Sequence, residues 1–138
     1  IESREKLKAL YGKKLQESGP DIPVETADDK FMSVLVKSIH ANLDNSEYSV
    51  KDLCRDTPYS YLQIYRKVKA LTGITVNEFI RNTRLSRAAY LLEHSDLRVS
   101  EIMYSVGFGT HSYFTKCFKE YYGVTPKEYA ARFSKGNA

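Results

Sequence analysis

The chain has no tryptophan, and it has only two cysteines and three histidines among its 138 residues. A zinc site needs Cys and His pairs at short spacing, whereas His40, His94 and His111 are scattered along the chain. We therefore expect neither a metal nor a cofactor. Cys54 and Cys117 lie in apolar helical patterns, where a free thiol packs as a small hydrophobic group.

Long apolar runs are also missing from the sequence. No segment approaches the roughly 18 apolar residues of a membrane helix, and no secretory signal is visible. These absences predict a cytoplasmic protein without membrane contact, in which a disulfide is disfavoured. The first residue is Ile1 rather than methionine, so we expect a fragment of a longer protein. Its length fits one domain, or two small ones that share a helix.

The usual patterns of catalysis are not found either. No pair of carboxylates is flanked by a plausible pocket, and no glycine-rich phosphate loop follows a strand. His111 has no sequence neighbour that would make it a general base. The chain is therefore predicted not to be an enzyme.

Two stretches repeat one pattern at an offset of fifty residues. Residues 58–79 are PYSYLQIYRKVKALTGITVNEF, and residues 107–129 are GFGTHSYFTKCFKEYYGVTPKEY. Gly73, Thr75 and Glu78 of the first stretch recur as Gly123, Thr125 and Glu128 of the second. The repeat predicts two copies of one structural unit.

Positive charge follows this repeat. The net charge is +4, but residues 60–87 have six basic residues against one acidic residue, and residues 98–132 have five against three. Residues 28–56 are the reverse, with four basic against six acidic residues. A basic surface confined to the repeated unit is typical of proteins that bind phosphate backbones.

Hydrophobic spacing and turn residues divide the chain into segments. Residues 3–16 have the pattern of an amphipathic helix, which belongs either to a preceding domain, the interpretation we favour, or to a pairing with a partner's copy. Residues 18–29 combine glycine, two prolines and acidic residues, as linkers do. We therefore assign residues 1–28 to a helix and linker from an absent preceding domain, residues 29–133 to the folded domain, and residues 134–138 to a tail.

Start and stop signals mark helices throughout the folded domain. The predicted elements are a helix over 29–43, a first helix-turn-helix over 49–73, a linking helix over 76–94, a second helix-turn-helix over 98–123 and a final helix over 126–133. Capping residues are expected at Ser49, Ser60, Thr75, Thr110 and Thr125. No segment alternates as a strand would, so the predicted fold is all-α with about seven helices.

The second helix of each copy has one apolar face and one polar face. Ile64, Val68 and Leu71 are predicted to face the core in the first copy, and Phe114, Cys117, Phe118 and Tyr121 in the second. In a helix-turn-helix the opposite face meets base edges and phosphates. The linking helix is about 27 Å long, close to the ~34 Å between successive major grooves on one side of DNA. The rival interpretation is a helical protein-interaction module that uses Tyr59, Tyr61 and Tyr65.

The second copy, IMYSVGFGTHSYFTKCFKEYYGVTPKEY, closely resembles the signature of the AraC family of bacterial transcription regulators. The matching elements are GF in the turn, SYF, FK, and a glycine followed by TP and an aromatic residue. The resemblance covers about residues 29–133 and implies two helix-turn-helix subdomains that bind double-stranded DNA and regulate transcription. It implies base contacts from Leu62, Tyr65, Arg66, His111, Ser112, Thr115 and Lys116. Phosphate contacts are expected from Ser60, Lys67, Lys69, Arg84, Thr110 and Lys119.

Four positions depart from the family pattern. Cys54 and Met103 replace a small alanine, and Pro58 replaces the usual turn glycine. Because proline cannot adopt a positive φ, the first turn is expected to follow another path. Lys116 stands where arginine is frequent, so a single donor group replaces a bidentate one.

The first copy, with YRKVKALTGITVNEFIR, resembles the output end of hybrid two-component regulators. In these proteins a phosphorylated receiver domain precedes the DNA-binding module, and the subfamily often governs carbohydrate-utilisation genes. The resemblance implies signal transduction through a phosphorelay, homodimerisation through upstream regions, and contact with the transcription machinery.

Overall fold

The structure is a computed structural model that describes residues 26–134. Within that range it consists of seven α-helices and no strand, which confirms the all-α prediction. The helices are α1 Ala27–His40, α2 Val50–Asp56, α3 Tyr61–Thr72, α4 Val76–His94, α5 Val99–Ser105, α6 His111–Tyr122 and α7 Pro126–Ser134. The amphipathic pattern at residues 3–16, most of the linker and the last four residues lie outside the described residues.

The first helix begins and ends earlier than predicted. The prediction placed it at 29–43 and was wrong at both ends, because α1 covers Ala27–His40. Thr26 provides the reason for the earlier start, since its hydroxyl accepts a hydrogen bond from the Asp29 N–H at 3.0 Å and the Asp29 carboxylate accepts from the Thr26 N–H at 3.4 Å. This capping box lies inside the stretch that the sequence predicts as linker.

Capping residues fix most of the other helix boundaries. The Ser49 N–H donates to Asp52 at 2.8 Å before α2, and reciprocal capping boxes precede α3, α4 and α7. Their residue pairs are Ser60 with Gln63, Thr75 with Glu78, and Thr125 with Glu128. Thr110 differs, because it occupies the N-cap of α6 without a side-chain cap hydrogen bond. Thr110 is therefore the N-cap residue, as predicted, although its hydroxyl does not complete a cap.

The described residues divide into two compact units. The first unit contains residues 26–41 and 49–79, with α1, α2, α3 and the first turn of α4. Its core is mainly aliphatic: Leu35, Ile39, Leu53, Ile64 and Val68 are fully buried beside Phe31 and Met32. Burying each such side chain stabilises the fold by about 1.5–3 kcal/mol. The packing of α1 on α2 and of α2 on α3 holds α3 with one face against this core.

The second unit contains residues 42–48 and 80–134, with the rest of α4 and helices α5 to α7. Aromatic rings dominate its core. The ring centroid of Phe118 lies 5.9 Å from that of Phe114, 4.7 Å from Tyr122 and 5.4 Å from Tyr129. Phe108 is buried against the same group, at 5.1 Å from Phe114. The aromatic residues of the repeat therefore build the interior of this unit, as predicted for Phe114 and Phe118.

Among residues 26–134, no helix combines the length and the apolar character that crossing a bilayer requires. Both cysteines are free thiols: Cys54 is half-buried in the first unit, and Cys117 is buried in the second.

Candidate nucleic-acid interface

The outward face of α3 holds the three side chains expected to contact bases in the first copy. Leu62 is 53% exposed, Tyr65 is 50% exposed, and Arg66 is exposed as well. Ile64 and Val68 lie on the opposite face and are fully buried. A short apolar group, a phenol and a guanidinium are thus presented to solvent while the core holds the helix in place.

The last turn of α3 differs from the prediction in one residue. Leu71, expected in the core, is half-buried, whereas Thr72 is buried and its hydroxyl donates to the Val68 carbonyl at 2.6 Å. The Lys69 ammonium donates to the Gly73 carbonyl at 3.2 Å, and the side chain remains exposed. Lys69 therefore closes the helix end and still places its charge at the surface.

The first turn of α3 contributes two further surface groups. The Ser60 hydroxyl accepts from the Gln63 N–H at 3.2 Å, so this expected phosphate contact is also the helix cap. Tyr61 is 59% exposed and its ring stacks on Tyr65, with centroids 6.2 Å apart. From the sequence, Tyr61 is assigned only to the alternative protein-interaction surface. Its place beside Tyr65 adds it to the face that carries the expected base contacts.

Lys67 is less free than we expected of a phosphate contact. Its ammonium pairs with Asp28 in the first turn of α1 at 3.4 Å and lies 5.2 Å from the centroid of the Phe31 ring. The Lys67 side chain is 41% exposed. Lys67 thus joins α3 to α1, and an exposed pair of this kind contributes only about 0–1 kcal/mol.

The second copy presents a more polar face. Phe114, Cys117 and Phe118 are buried in α6 as predicted, whereas Tyr121 is half-buried. The exposed side chains on the outward face are His111, Ser112, Lys116 and Lys119. Thr115 is half-buried, and its hydroxyl lies 3.4 Å from Nδ1 of His111, one turn away. Hydrogen-bonding groups near the helix start are followed by lysines, the same order as in α3.

The turns that precede the two outward-facing helices are built differently. In the second unit, Gly107 has φ +88°, and its N–H and that of Phe108 donate to Tyr104 and Met103 at the end of α5. In the first unit, α2 ends at Thr57 in an extended conformation with φ −127° and ψ 162°. The expectation that Pro58 forces another path is confirmed, because no residue of the first turn has a positive φ.

Arg84 was predicted to contact phosphate, and the structure contradicts this. The side chain is only 6% exposed. Its Nη1 donates to the carbonyls of Leu43 at 2.5 Å and Val106 at 2.9 Å, and its Nη2 donates to the Asn45 carbonyl at 2.8 Å. Burial lowers the pKa of this guanidinium, partly offset by the nearby Asp44 charge. Arg84 is thus held inside the second unit by main-chain carbonyls, and its guanidinium lacks the exposure that a phosphate contact requires.

A cluster of phenols forms a second polar feature that sequence analysis missed. The Tyr129 hydroxyl donates to Glu93 Oε2, which links α7 to the end of α4. Burial is the main reason that the pKa of Tyr122 rises to about 12, with the Glu93 charge adding to it and a hydrogen bond to Ser86 opposing it. Burial also raises the pKa of Tyr121 and Tyr129. Tyr121 and Tyr122, at the end of α6, and Tyr129 of α7 are half-buried and pack against the core of the second unit.

The model of the helix-turn-helix domain family matches residues 53–132. The chain is 33% identical over 135 residues to histidine kinase P4 of Formosa agariphila, which covers 98% of this chain and 10% of the kinase. It is 32% identical over 112 residues to the HTH-type transcriptional activator RhaR of Salmonella typhi, covering 79% of this chain and 38% of RhaR. The chain thus spans a minor part of both relatives.

A solved structure agrees with these similarities. The C-terminal domain of the two-component response regulator YesN from Fusobacterium nucleatum superposes with a TM-score of 0.61 at 27% identity, over 73% of this chain and 98% of that domain. The family match covers both outward-facing helices and the helix that connects them. The chain therefore belongs to the AraC-type helix-turn-helix family, whose members are DNA-binding domains of transcription regulators and not enzymes.

Proposed function

We propose that α3 and α6 each enter a major groove of double-stranded DNA and read its sequence for transcription regulation. One observation carries the proposal. In both helices a fully buried apolar face lies opposite an exposed face, with hydrogen-bonding side chains near the helix start and basic ones further along. This order suits base contact by the first turns and phosphate neutralisation by the later ones.

The base-contacting residues we propose are the seven that the sequence named. They are Leu62, Tyr65 and Arg66 in α3, and His111, Ser112, Thr115 and Lys116 in α6. Arg66 has the planar fork that can donate twice to one guanine, whereas Lys116 offers a single ammonium group. Leu62 suits an apolar contact with a thymine methyl group. The first unit is therefore proposed to discriminate bases more strongly than the second.

Phosphate contacts are proposed for five residues, with Arg84 removed from the set. They are Ser60, Lys67, Lys69, Thr110 and Lys119. Lys119 and Lys69 lie exposed near the ends of their helices. Thr110 has an exposed side chain that makes no cap hydrogen bond, so its hydroxyl is available to a phosphate oxygen. These contacts would add affinity with little dependence on sequence.

The placement of both readers on one duplex is part of the proposal. The helix α4 has 19 residues, about 28 Å at ~1.5 Å per residue, which is comparable to the ~34 Å between successive major grooves on one face of DNA. Two consecutive grooves are the arrangement that this length supports.

The place of the domain in a signalling chain rests on its relatives. A relative named as a histidine kinase covers nearly the whole chain, and a similar solved domain belongs to a two-component response regulator. We therefore propose that the domain is the output of a phosphorelay sensor and acts in the cytoplasm. Homodimerisation through upstream regions and contact with the transcription machinery belong to the same proposal.

Fluorescence anisotropy of a labelled duplex tests DNA binding. The duplex is first selected by the 138-residue chain from a random pool, and binding is then measured between about 50 and 200 mM salt. Neutralising four to six phosphates should lower log K by roughly four to five per unit of log salt. A flat salt response would refute DNA binding and favour the helical protein-interaction module.

A further inference from the structure

Arg84 is the most deeply buried charged residue among those described, at 6% exposure, and α4 presents it to three main-chain carbonyl oxygens. Val106, one of the three, is the C-cap residue of α5 and begins the turn that leads into α6. Leu43 and Asn45 belong to the loop over residues 42–48, which lies in the same unit. One planar guanidinium thus ties the turn before α6 to a second loop.

The loop over residues 42–48 is itself held in a fixed shape. The N–H of Asn45 donates to Asn42, and that of Tyr48 donates back to Asn45, both at 3.1 Å. The Asn45 side chain accepts from the Glu47 N–H at 3.0 Å, and Tyr48 is buried. The guanidinium therefore connects Val106 to a loop that is itself held by internal hydrogen bonds.

Gly107 completes the arrangement. With φ +88°, it adopts a conformation that favours glycine, and a Cβ at this position would overlap both the Nη1 atom of Arg84 and the carbonyl oxygen of Leu43. The glycine of the GFG sequence is thus required by the guanidinium as well as by the turn. At the equivalent end of α2 in the first unit, the Thr57 hydroxyl donates to the Leu53 carbonyl at 2.6 Å.

We propose that Arg84 is the positioning residue of the second DNA reader: its guanidinium sets the direction in which α6 leaves the turn at Val106 and Gly107. The inference deepens the proposed function and rests on it. A side chain that reads bases must be held to within about 0.5 Å of its productive place. A planar guanidinium that donates to three carbonyls achieves this where a single lysine ammonium does not. Loss of Arg84 therefore misdirects α6 and leaves α3 unaffected.

The first test needs no DNA. Hydrogen exchange of the 138-residue chain is compared between wild type, Arg84→Lys and Arg84→Met, with Arg87→Lys as the matched control. Arg87 lies one turn further along α4 and stacks on Tyr90. In Arg84→Lys, amides over 42–48 and 104–110 should exchange about tenfold faster, the equivalent of one hydrogen bond to a charged group. The control should leave both segments unchanged.

The second test measures which bases each protein senses, on the duplex selected by the wild type. A base pair is assigned to α3 when its substitution lowers the affinity of the wild type but not that of Arg66→Ala. A base pair is assigned to α6 when its substitution lowers the affinity of the wild type but not that of Lys116→Ala. For wild type each such substitution should cost about 5- to 100-fold. In Arg84→Lys, substituting a base pair assigned to α6 should no longer lower the affinity, whereas substituting one assigned to α3 should lower it as much as in the wild type.

The outcomes separate positioning from general stability. If Arg84→Lys merely reduces the folded fraction, all affinities fall together and both sensitivities survive, which would overturn the proposal. A uniform rise in exchange over residues 80–134, or failure of both Arg84 variants to fold, would do the same. If the wild type selects no duplex, the proposed function fails, and the exchange data alone decide whether Arg84 holds the turn.

Discussion

In the first unit the turn between helices runs from Thr57 to Ser60, and in the second it runs from Val106 to Thr110, one residue longer. The shorter turn uses extended backbone and Pro58, and the longer one uses Gly107 in a left-handed conformation against Arg84. The two copies of the repeat thus use different backbone conformations in the turn between their helices.

The two cores differ in the same way. The first unit buries mainly branched aliphatic side chains around α3, whereas the second surrounds α6 with phenylalanine and tyrosine rings. The outward faces differ as well, since Arg66 stands in α3 where α6 has polar groups and Lys116. Two units with the same order of helices therefore differ both in how their cores pack and in which side chains they expose. Substitutions that act on one unit and spare the other can test this independence.

The largest effect is expected at Gly107. Gly107→Ala must keep an alanine at φ +88° and fit its Cβ where Arg84 and Leu43 already lie. We expect a loss of about 2–6 kcal/mol in the free energy of unfolding of the second unit, from backbone strain and overpacking together. Urea unfolding followed by circular dichroism measures it.

Two other glycines are matched controls for that substitution. Gly123 also has a positive φ, +83°, but a Cβ there meets nothing within 4 Å, so Gly123→Ala should cost only about 1–2 kcal/mol. Gly109 has neither constraint, and Gly109→Ala should stay within about 0.5 kcal/mol. Equal losses at Gly107 and Gly123 would show that the contact with Arg84 contributes nothing.

The next effect concerns the readers themselves. Arg66→Ala should weaken binding to the selected duplex by up to about 3 kcal/mol and affect random DNA far less, since a bidentate guanine contact is worth about 1–3 kcal/mol. Lys116→Ala should cost less, because one ammonium replaces the fork. Anisotropy titration on both duplexes measures these differences.

Lys69→Ala and Lys119→Ala are the controls for base reading. Each removes one proposed phosphate contact, so affinity should fall alike on both duplexes and the salt slope should decrease by about one. If Arg66→Ala behaved in the same way, the first unit would not read bases through this residue.

The aromatic core predicts a response to alkaline pH that belongs to the second unit. Tyr122 has its pKa raised to about 12 in the folded protein from 10.0. Between these values the folded state binds more protons than the unfolded state, so this contribution is complete below about pH 10 and is lost as pH rises toward 12. The free energy of unfolding should fall by about 2 kcal/mol from this group.

Tyr122→Phe isolates that contribution. The difference between the unfolding free energies at pH 8 and pH 11.5 should be smaller in this variant by roughly that amount. Tyr104→Phe makes the same change at an exposed phenol of α5 and should keep the wild-type difference. Identical pH profiles for all three proteins would mean that the buried phenol of Tyr122 is not linked to folding.

Most helix boundaries after α1 could be predicted because their signals are local. Ser49, Ser60 and Thr75 each lie three residues from the side chain that completes the cap, and Gly73 and Gly123 end their helices in left-handed conformations. The outward faces followed from helical spacing in the same way. The fold and the accessible half of the candidate site were therefore within reach of sequence analysis.

The role of Arg84 was not predictable from such patterns. Its acceptors are carbonyls 22 to 41 positions away along the chain, and no side chain at those positions marks the contact. The pair of Lys67 with Asp28, 39 residues apart, and that of Tyr129 with Glu93, 36 apart, have the same origin. A basic residue in such a stretch looks the same in sequence whether its side chain faces DNA or supports a turn inside the protein.

The smallest effect compares the N-caps of the two readers. Ser60 takes part in a reciprocal capping box, so Ser60→Ala should destabilise the first unit by about 1 kcal/mol. Thr110→Ala removes a hydroxyl without a cap hydrogen bond, and its effect on urea unfolding should be close to zero. If Thr110 contacts phosphate, that variant should instead weaken DNA binding at unchanged stability. A loss of about 1 kcal/mol in both variants would show that the N-caps are equivalent, and the two units would then differ in their turns, cores and outward faces but not in their caps.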